Sequence, residues 1–341
     1  MTNNDSTLKI RFAVGVLLLW SCLSGGVQAD ATTEHLPMAA RMVLTKANDL
    51  MDRQAVDQAI DVITAFQDRT PLSTPDKPDS KGAHHPMVYL YLGNCYLMNG
   101  NAARAQAALA QAVARAPDMV AAWQNLAKAH YEQAHYGQAA QCFLSAYERS
   151  DHSDAQSLCF CALSESLAGR HDAAIHVFQR LFDNHPAKVT LTWKAYFSQV
   201  LLEADQPRRA IDRYLEVLGE HVDESALRNL IIACQRLERY EAGLAHLNRF
   251  AANTRSTDLL MLKADLLYAL KRFGDAESVY HRVARQNGPH AARAWLMAGY
   301  AAWQHNDLEF GRAAFQAAAK NRQHRKAALL ALRQMGKGDT Q

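Results

Sequence analysis

The sequence predicts an all-α chain of consecutive helix–turn–helix units, and three observations carry that expectation. Helix breakers are scarce, with 16 glycines and 9 prolines in 341 residues that are 49% apolar, a composition that favours helix over strand. Small residues return at a nearly fixed interval: Ala59, Ala105, Ala139, Ala174, Ala210, Gly243, Ala276 and Gly311, separated from Ala105 onward by 34, 35, 36, 33, 33 and 35. Four residues after each stands a large one, namely Ile63, Leu109, Phe143, Phe178, Tyr214, Leu247, Tyr280 and Phe315. An i, i+4 pair lies on one helix face. In every unit a residue that admits a neighbouring helix is thus coupled to one that fills the space beyond it.

Residues 1–29 read as an export signal. Lys9 and Arg11 precede the apolar run 12–20, and Val27-Gln28-Ala29 offers small residues before a cut, the order of a secretory leader. The run is too short to cross a hydrocarbon core of roughly 30 Å as a helix. A second processing route stays open, because Leu19-Trp20-Ser21-Cys22 resembles the bacterial lipobox, which would put a lipid anchor on Cys22. Removing residues 1–29 lowers the formal charge from +3 to +2, and no second long apolar run follows. No transmembrane segment is therefore expected in the mature chain.

A short segment, 30–39, leads into a first unit at 40–73. Residues 74–85, with Pro75, Pro78 and Gly82, form a polar loop whose His84-His85 pair reads as solvated rather than as a metal ligand. Seven units follow over 86–325, at 86–119, 120–153, 155–188, 190–223, 224–256, 257–291 and 292–325. Pro71, Pro117 and Pro186 close second helices, since proline cannot continue one. Residues 326–341 are a capping helix and tail, with Arg325, Lys326 and Arg333 giving the last apolar face a wet side.

Within 86–119 stand Leu92-Gly93, Tyr96, Gly100, Ala105, Leu109, Ala112 and Pro117; within 120–153, Trp123, Leu126-Ala127, Tyr131, Ala139, Phe143 and Ala146. These spacings resemble the tetratricopeptide repeat of 34 residues. Trp123, Trp193 and Trp295 mark the same early position of a first helix. The resemblance implies a right-handed α-solenoid of about eight units. Phe197 and Ile231 stand where that pattern wants a small residue, so the fifth and sixth helix pairs are expected to splay. The turn before Ala210 looks one residue longer than the others.

A formal charge of +3 gives no nucleic-acid footprint, which needs a clustered basic face. No phosphate-binding glycine loop, zinc-protease motif or nucleophile elbow occurs in the sequence, so neither catalysis nor a cofactor is expected. His171 and His176 are five apart and turn to different faces, where a metal pair favours i, i+4. Cys95, Cys142, Cys159, Cys161 and Cys234 lie in apolar helical patterns and read as packed thiols, with a bridge from Cys142 to Cys159 or Cys161 as the alternative.

The resemblance also implies that inward residues of the first helices contact a ligand. Those positions hold Asn94; Gln124, Asn125, Lys128 and Tyr131; Lys194; Arg228, Asn229 and Gln235; and Tyr300. Their amides and cations suit a peptide backbone or an acidic side chain. The family's clamp for a free C-terminal carboxylate is not matched. The expected partner is therefore a protein or peptide bound in a concave groove, in the periplasm or from an outer-membrane lipoprotein facing it. Residues 91–98 and 122–132 loosely resemble repeat proteins that accompany TonB-type transport. The alternative is a module guiding a carbohydrate polymer during exopolysaccharide export, which would need repeated aromatic platforms such as Tyr131, Tyr268, Tyr300 and Trp303.

Overall fold

The computed structural model describes residues 36–70, 79–286 and 288–338. The export segment, Cys22 and residues 71–78 of the polar loop lie outside the described residues. Seventeen α-helices and no strand occupy what is described, in two compact units that divide between Val189 and Thr190. The first unit holds α1 (Met38–Asp52), α2 (Val56–Asp68), α3 (Pro86–Met98), α4 (Ala102–Arg115), α5 (Val120–Glu132), α6 (Tyr136–Arg149), α7 (Ala155–Leu167) and α8 (His171–Asn184), ending in a 3₁₀ turn at Pro186–Lys188. The second holds α9 (Leu191–Glu203), α10 (Pro207–Glu220), α11 (Glu224–Arg236), α12 (Tyr240–Ala251), α13 (Thr257–Ala269), α14 (Phe273–Ala284), α15 (Ala291–Gln304), α16 (Leu308–Ala319) and α17 (Arg325–Gly338). The result is an all-α helical repeat array, eight helix pairs and a final helix.

Helix starts follow from short polar side chains. Asn101, Asp154, Thr190, Asp223, Ser256 and Asp307 each accept a hydrogen bond from the backbone N–H three residues on, satisfying a donor with no partner inside the helix. The turn within a pair is the same eight times. It is three residues long, and its second residue is left-handed: Gln54, Gly100, Ala134, Gly169, Asp205, Glu238, Lys271 and Asn306, with φ between 55° and 77°. The residue after it donates its N–H to the carbonyl five back, as in Asn101 to Tyr96 at 2.8 Å and Gln206 to Leu201 at 2.9 Å. This is the Schellman closure of a helix. Of these eight, only Gly100 and Gly169 enter the left-handed region without a Cβ clash.

That turn sets the register and corrects three expectations about the fifth pair. The segment Ala204–Asp205–Gln206 is no longer than its counterparts. Counting seven residues back from the left-handed position gives Ala47, Gly93, Ala127, Ala162, Ser198, Ile231, Ala264 and Gly299, all buried. Ser198 therefore holds the small position, with its hydroxyl donating to the Lys194 carbonyl at 2.7 Å. Phe197 is an ordinary core residue beside it, 2% exposed. Trp193 stands one place earlier than Trp123 and Trp295, and Lys194 occupies their place. Ile231 does sit at the small position, where the second helix answers with Gly243, closely backed by Cys234 and Leu266.

The small position faces the large residue of the second helix. A Cβ on Gly93 would stand 2.7 Å from Leu109 Cδ2, and one on Gly299 would stand 2.7 Å from Phe315 Cε1. Ile63, Leu109, Phe143, Phe178, Tyr214, Leu247, Tyr280 and Phe315 are all buried, so the plug predicted from spacing is a plug in the fold. All five described cysteines are buried and unbridged. Burial pushes the thiols up, Cys142 to about 11 and Cys95 and Cys161 to about 12.

Candidate functional site

Polar side chains on the first helices of each unit reach across to the next first helix. In the first unit, Asn125 of α5 donates to Asn94 of α3 at 2.6 Å and accepts from the Lys128 ammonium at 3.0 Å. Gln124 donates to Asp154, the N-cap of α7, at 2.7 Å. Lys128 is only 7% exposed. Glu132, one turn on, has its carboxyl raised by burial while Lys128 opposes the rise. Tyr131 is buried with its ring 5.3 Å from Tyr136. Lys128 and Tyr131 therefore present little surface, and Asn94, Gln124 and Asn125 are half-buried staples between repeats.

In the second unit the linkage is ionic. Arg228 of α11 lies 3.6 Å from Asp258 of α13, which also takes His290 at the start of α15 at 2.6 Å. Asp265, two turns along α13, accepts from Arg293 of α15 at 2.9 Å and from Tyr280 of α14 at 2.5 Å. Burial and then the Asp265 charge push the Tyr280 hydroxyl up. Such pairs, partly wet, each contribute up to about 1 kcal/mol. They tie each of these first helices to its neighbour.

The remaining candidates separate. Tyr300 is half-buried, its ring edge-on to Phe315 at 5.0 Å. Gln235 shares a repeat position with Tyr131, three residues before the left-handed turn. Asn229 lies beside the buried Tyr214 hydroxyl. Lys194 pairs at 2.9 Å with Glu220 of its own repeat's second helix, consistent with its place in the Trp123 position. Sequence reading missed Asp258, Asp265, His290 and Arg293, and grouped Tyr268 and Trp303 with Tyr300 only as aromatic platforms for a carbohydrate, not among the residues of the peptide-binding face. The register could have found most of them. Asp265 and Tyr300 share the position of Lys128, and Tyr268 and Trp303 share that of Tyr131.

The first unit thus offers amides, and the second paired charges and the half-buried rings of Tyr268, Tyr300 and Trp303, groups that hydrogen-bond and stack. Among the described residues no group of three or more histidines, cysteines or carboxylates is placed to hold a metal ion. No described helix is long and apolar enough to cross a membrane.

Comparisons fit this geometry. Residues 86–129 and 261–332 each match a family model described as tetratricopeptide repeat. A solved tetratricopeptide repeat protein from Parabacteroides merdae is 16% identical, covering 73% of this chain and 98% of its own, with a TM-score of 0.50. The C-terminal part of a repeat-containing protein from Cytophaga hutchinsonii is 14% identical, covering 84% and 98%, also at 0.50. At such identities the likeness is one of fold. No curated protein matches the chain.

Proposed function

We propose that this chain, a tetratricopeptide-repeat protein, is a binding scaffold that holds a protein or peptide on the face of its first helices. The observation that carries the reading is in the second unit, where half-buried Tyr268, Tyr300 and Trp303 stand on the same two first helices, α13 and α15, as the Asp265–Arg293 pair. Rigid amphipathic rings beside oriented charges supply contact area at low entropic cost together with directional bonds. Amides at Asn94, Gln124 and Asn125 offer a second polar stretch in the first unit.

The cellular setting belongs to the same proposal. Lys9, Arg11 and the apolar run 12–20 support export to the periplasm, free or anchored through Cys22. There the chain would serve as an adaptor in the envelope, accessory to a TonB-type uptake system or to envelope assembly. The same rings also keep a carbohydrate-polymer reading in play, since sugars stack on aromatic faces.

A photo-crosslinking amino acid at Tyr300 or Gln124, expressed in intact cells, tests the face. The control positions are the exposed second-helix residues Gln141 and Gln316. Protein adducts are expected from the first two positions and not from the controls. Adducts mainly from Gln141 or Gln316 would move the binding face to the second helices. Glycan adducts at Tyr300 would favour the polymer reading.

A further inference from the structure

The last helix does more than close the array. A terminal repeat cap needs a polar outer face, and α17 does supply a buried side of Ala328, Ala331 and Met335. Its outward side is not simply polar. Leu329 and Leu330 are 44% and 56% exposed, among the few large apolar side chains left open in the described residues. Lys326 and Arg333, both exposed, stand three or four residues away on either side. Positions i, i+3, i+4 and i+7 share one helix face, so the outward stripe reads cation, leucine, leucine, cation.

The charge along its own stretch of sequence is one-sided up to Asp339. Between residues 320 and 338 stand six lysines and arginines and no aspartate or glutamate. Arg325 and Lys326 occupy the first turn of α17, which holds no acidic residue. Cations there oppose the helix dipole, so helix stability does not explain them. A surface helix with leucines at its centre and cations at its edges matches the layered chemistry of an anionic bilayer surface, where acyl chains lie below a plane of phosphates.

We infer that the outward stripe of α17 docks on an anionic phospholipid surface, the leucines entering the headgroup boundary while Lys326 and Arg333 pair with phosphates. This is independent of the first-helix face, which lies on other helices and carries a different chemistry. It holds whether or not Cys22 is lipidated.

The experiment is flotation of the full chain with phosphatidylcholine vesicles, with and without phosphatidylglycerol. Lys9 and Arg11 beside the apolar run 12–20 also favour anionic lipid, so the readout is the change in the ratio of anionic to neutral binding between variants that share that segment. Wild type should favour anionic vesicles, and high salt should erase the preference. Lys326→Gln with Arg333→Gln should lower it roughly thirty-fold, about fivefold per cation. Leu329→Ser with Leu330→Ser should weaken anionic binding by at least roughly tenfold. Arg208→Gln with Arg209→Gln, equally exposed on α10, should change neither. Equal binding to both vesicle types, or an equal loss in the α10 variant, would overturn the inference. So would stripe variants that lose self-association, or capture of an acidic protein, while vesicle binding stays intact.

Discussion

Replacing Gly299 by alanine puts one methyl group into a close contact between the helices of the last pair. The added Cβ would stand 2.7 Å from Phe315 Cε1, 2.8 Å from Cδ1 and 3.1 Å from Cγ. Carbon atoms pack at about 3.5–4.0 Å, so either the ring or the helix must move. The ring is hemmed in. It is fully buried, with Tyr300 edge-on at 5.0 Å and Trp303 at 6.4 Å, in one cluster with Leu296, Ala328 and Met335. Overpacking of this kind costs about 1–3 kcal/mol, whereas alanine in place of a helical glycine returns about 0.5–1 kcal/mol. The net is a loss of up to about 2.5 kcal/mol, a fall in Tm of up to about 5–10 °C for a unit of this size. Gly274→Ala is the control, because nothing lies within 4 Å of its added Cβ; it should melt at or slightly above wild type. Thermal melts followed by circular dichroism read both. Phe315→Leu in the Gly299→Ala background should recover about 1 kcal/mol relative to the sum of the single changes. A Gly299→Ala protein melting above wild type, as the Gly274→Ala control is expected to, would refute the assigned register, since the glycine could not then face Phe315.

Three further outcomes rest on the turns and the thiols. Ala134→Gly relieves a left-handed alanine (φ 59°) and should stabilise by about 0.5–1 kcal/mol, read as a raised urea midpoint. Native protein should protect Cys95, Cys142, Cys159, Cys161 and Cys234 from a thiol reagent that reacts once urea is added, since all five are buried and unbridged. Their folded values are raised above the free-thiol value of about 8.5. The unfolded chain therefore loses those protons first, and stability present below about pH 8.5 should decline steadily as pH rises toward 11–12. A flat urea midpoint across that range would count against buried thiols.

Legibility followed chain distance. The period of small residues and their i+4 partners fixed helix, pairing and plug, because those contacts recur within one repeat and leave a local pattern. Ala105 with Leu109 and Ala139 with Phe143 could be read straight from spacing. The left-handed turn residue was legible at Gly100 and Gly169 but hidden at Asp205, Glu238 and Lys271, where the Schellman bond overrides side-chain preference. That is why the fifth repeat slipped by one, placing Phe197 where Ser198 belongs and Trp193 beside its true position. The polar residues of the first helices were legible as candidates and not as partners. Only the stacked structure shows that Asn125 is held by Asn94 and Lys128, that Lys128 is nearly buried, and that Asp258 gathers Arg228 and His290 from two other helices. Apart from Lys128 with Asn125, such contacts join residues about 30 apart with no fixed chemistry from repeat to repeat, so no periodic signal announces them. The exposure of Leu329 and Leu330 is the same case. Their helix was predicted from sequence, but which of its faces met the preceding pair was decided by packing against Phe315 and Ala318.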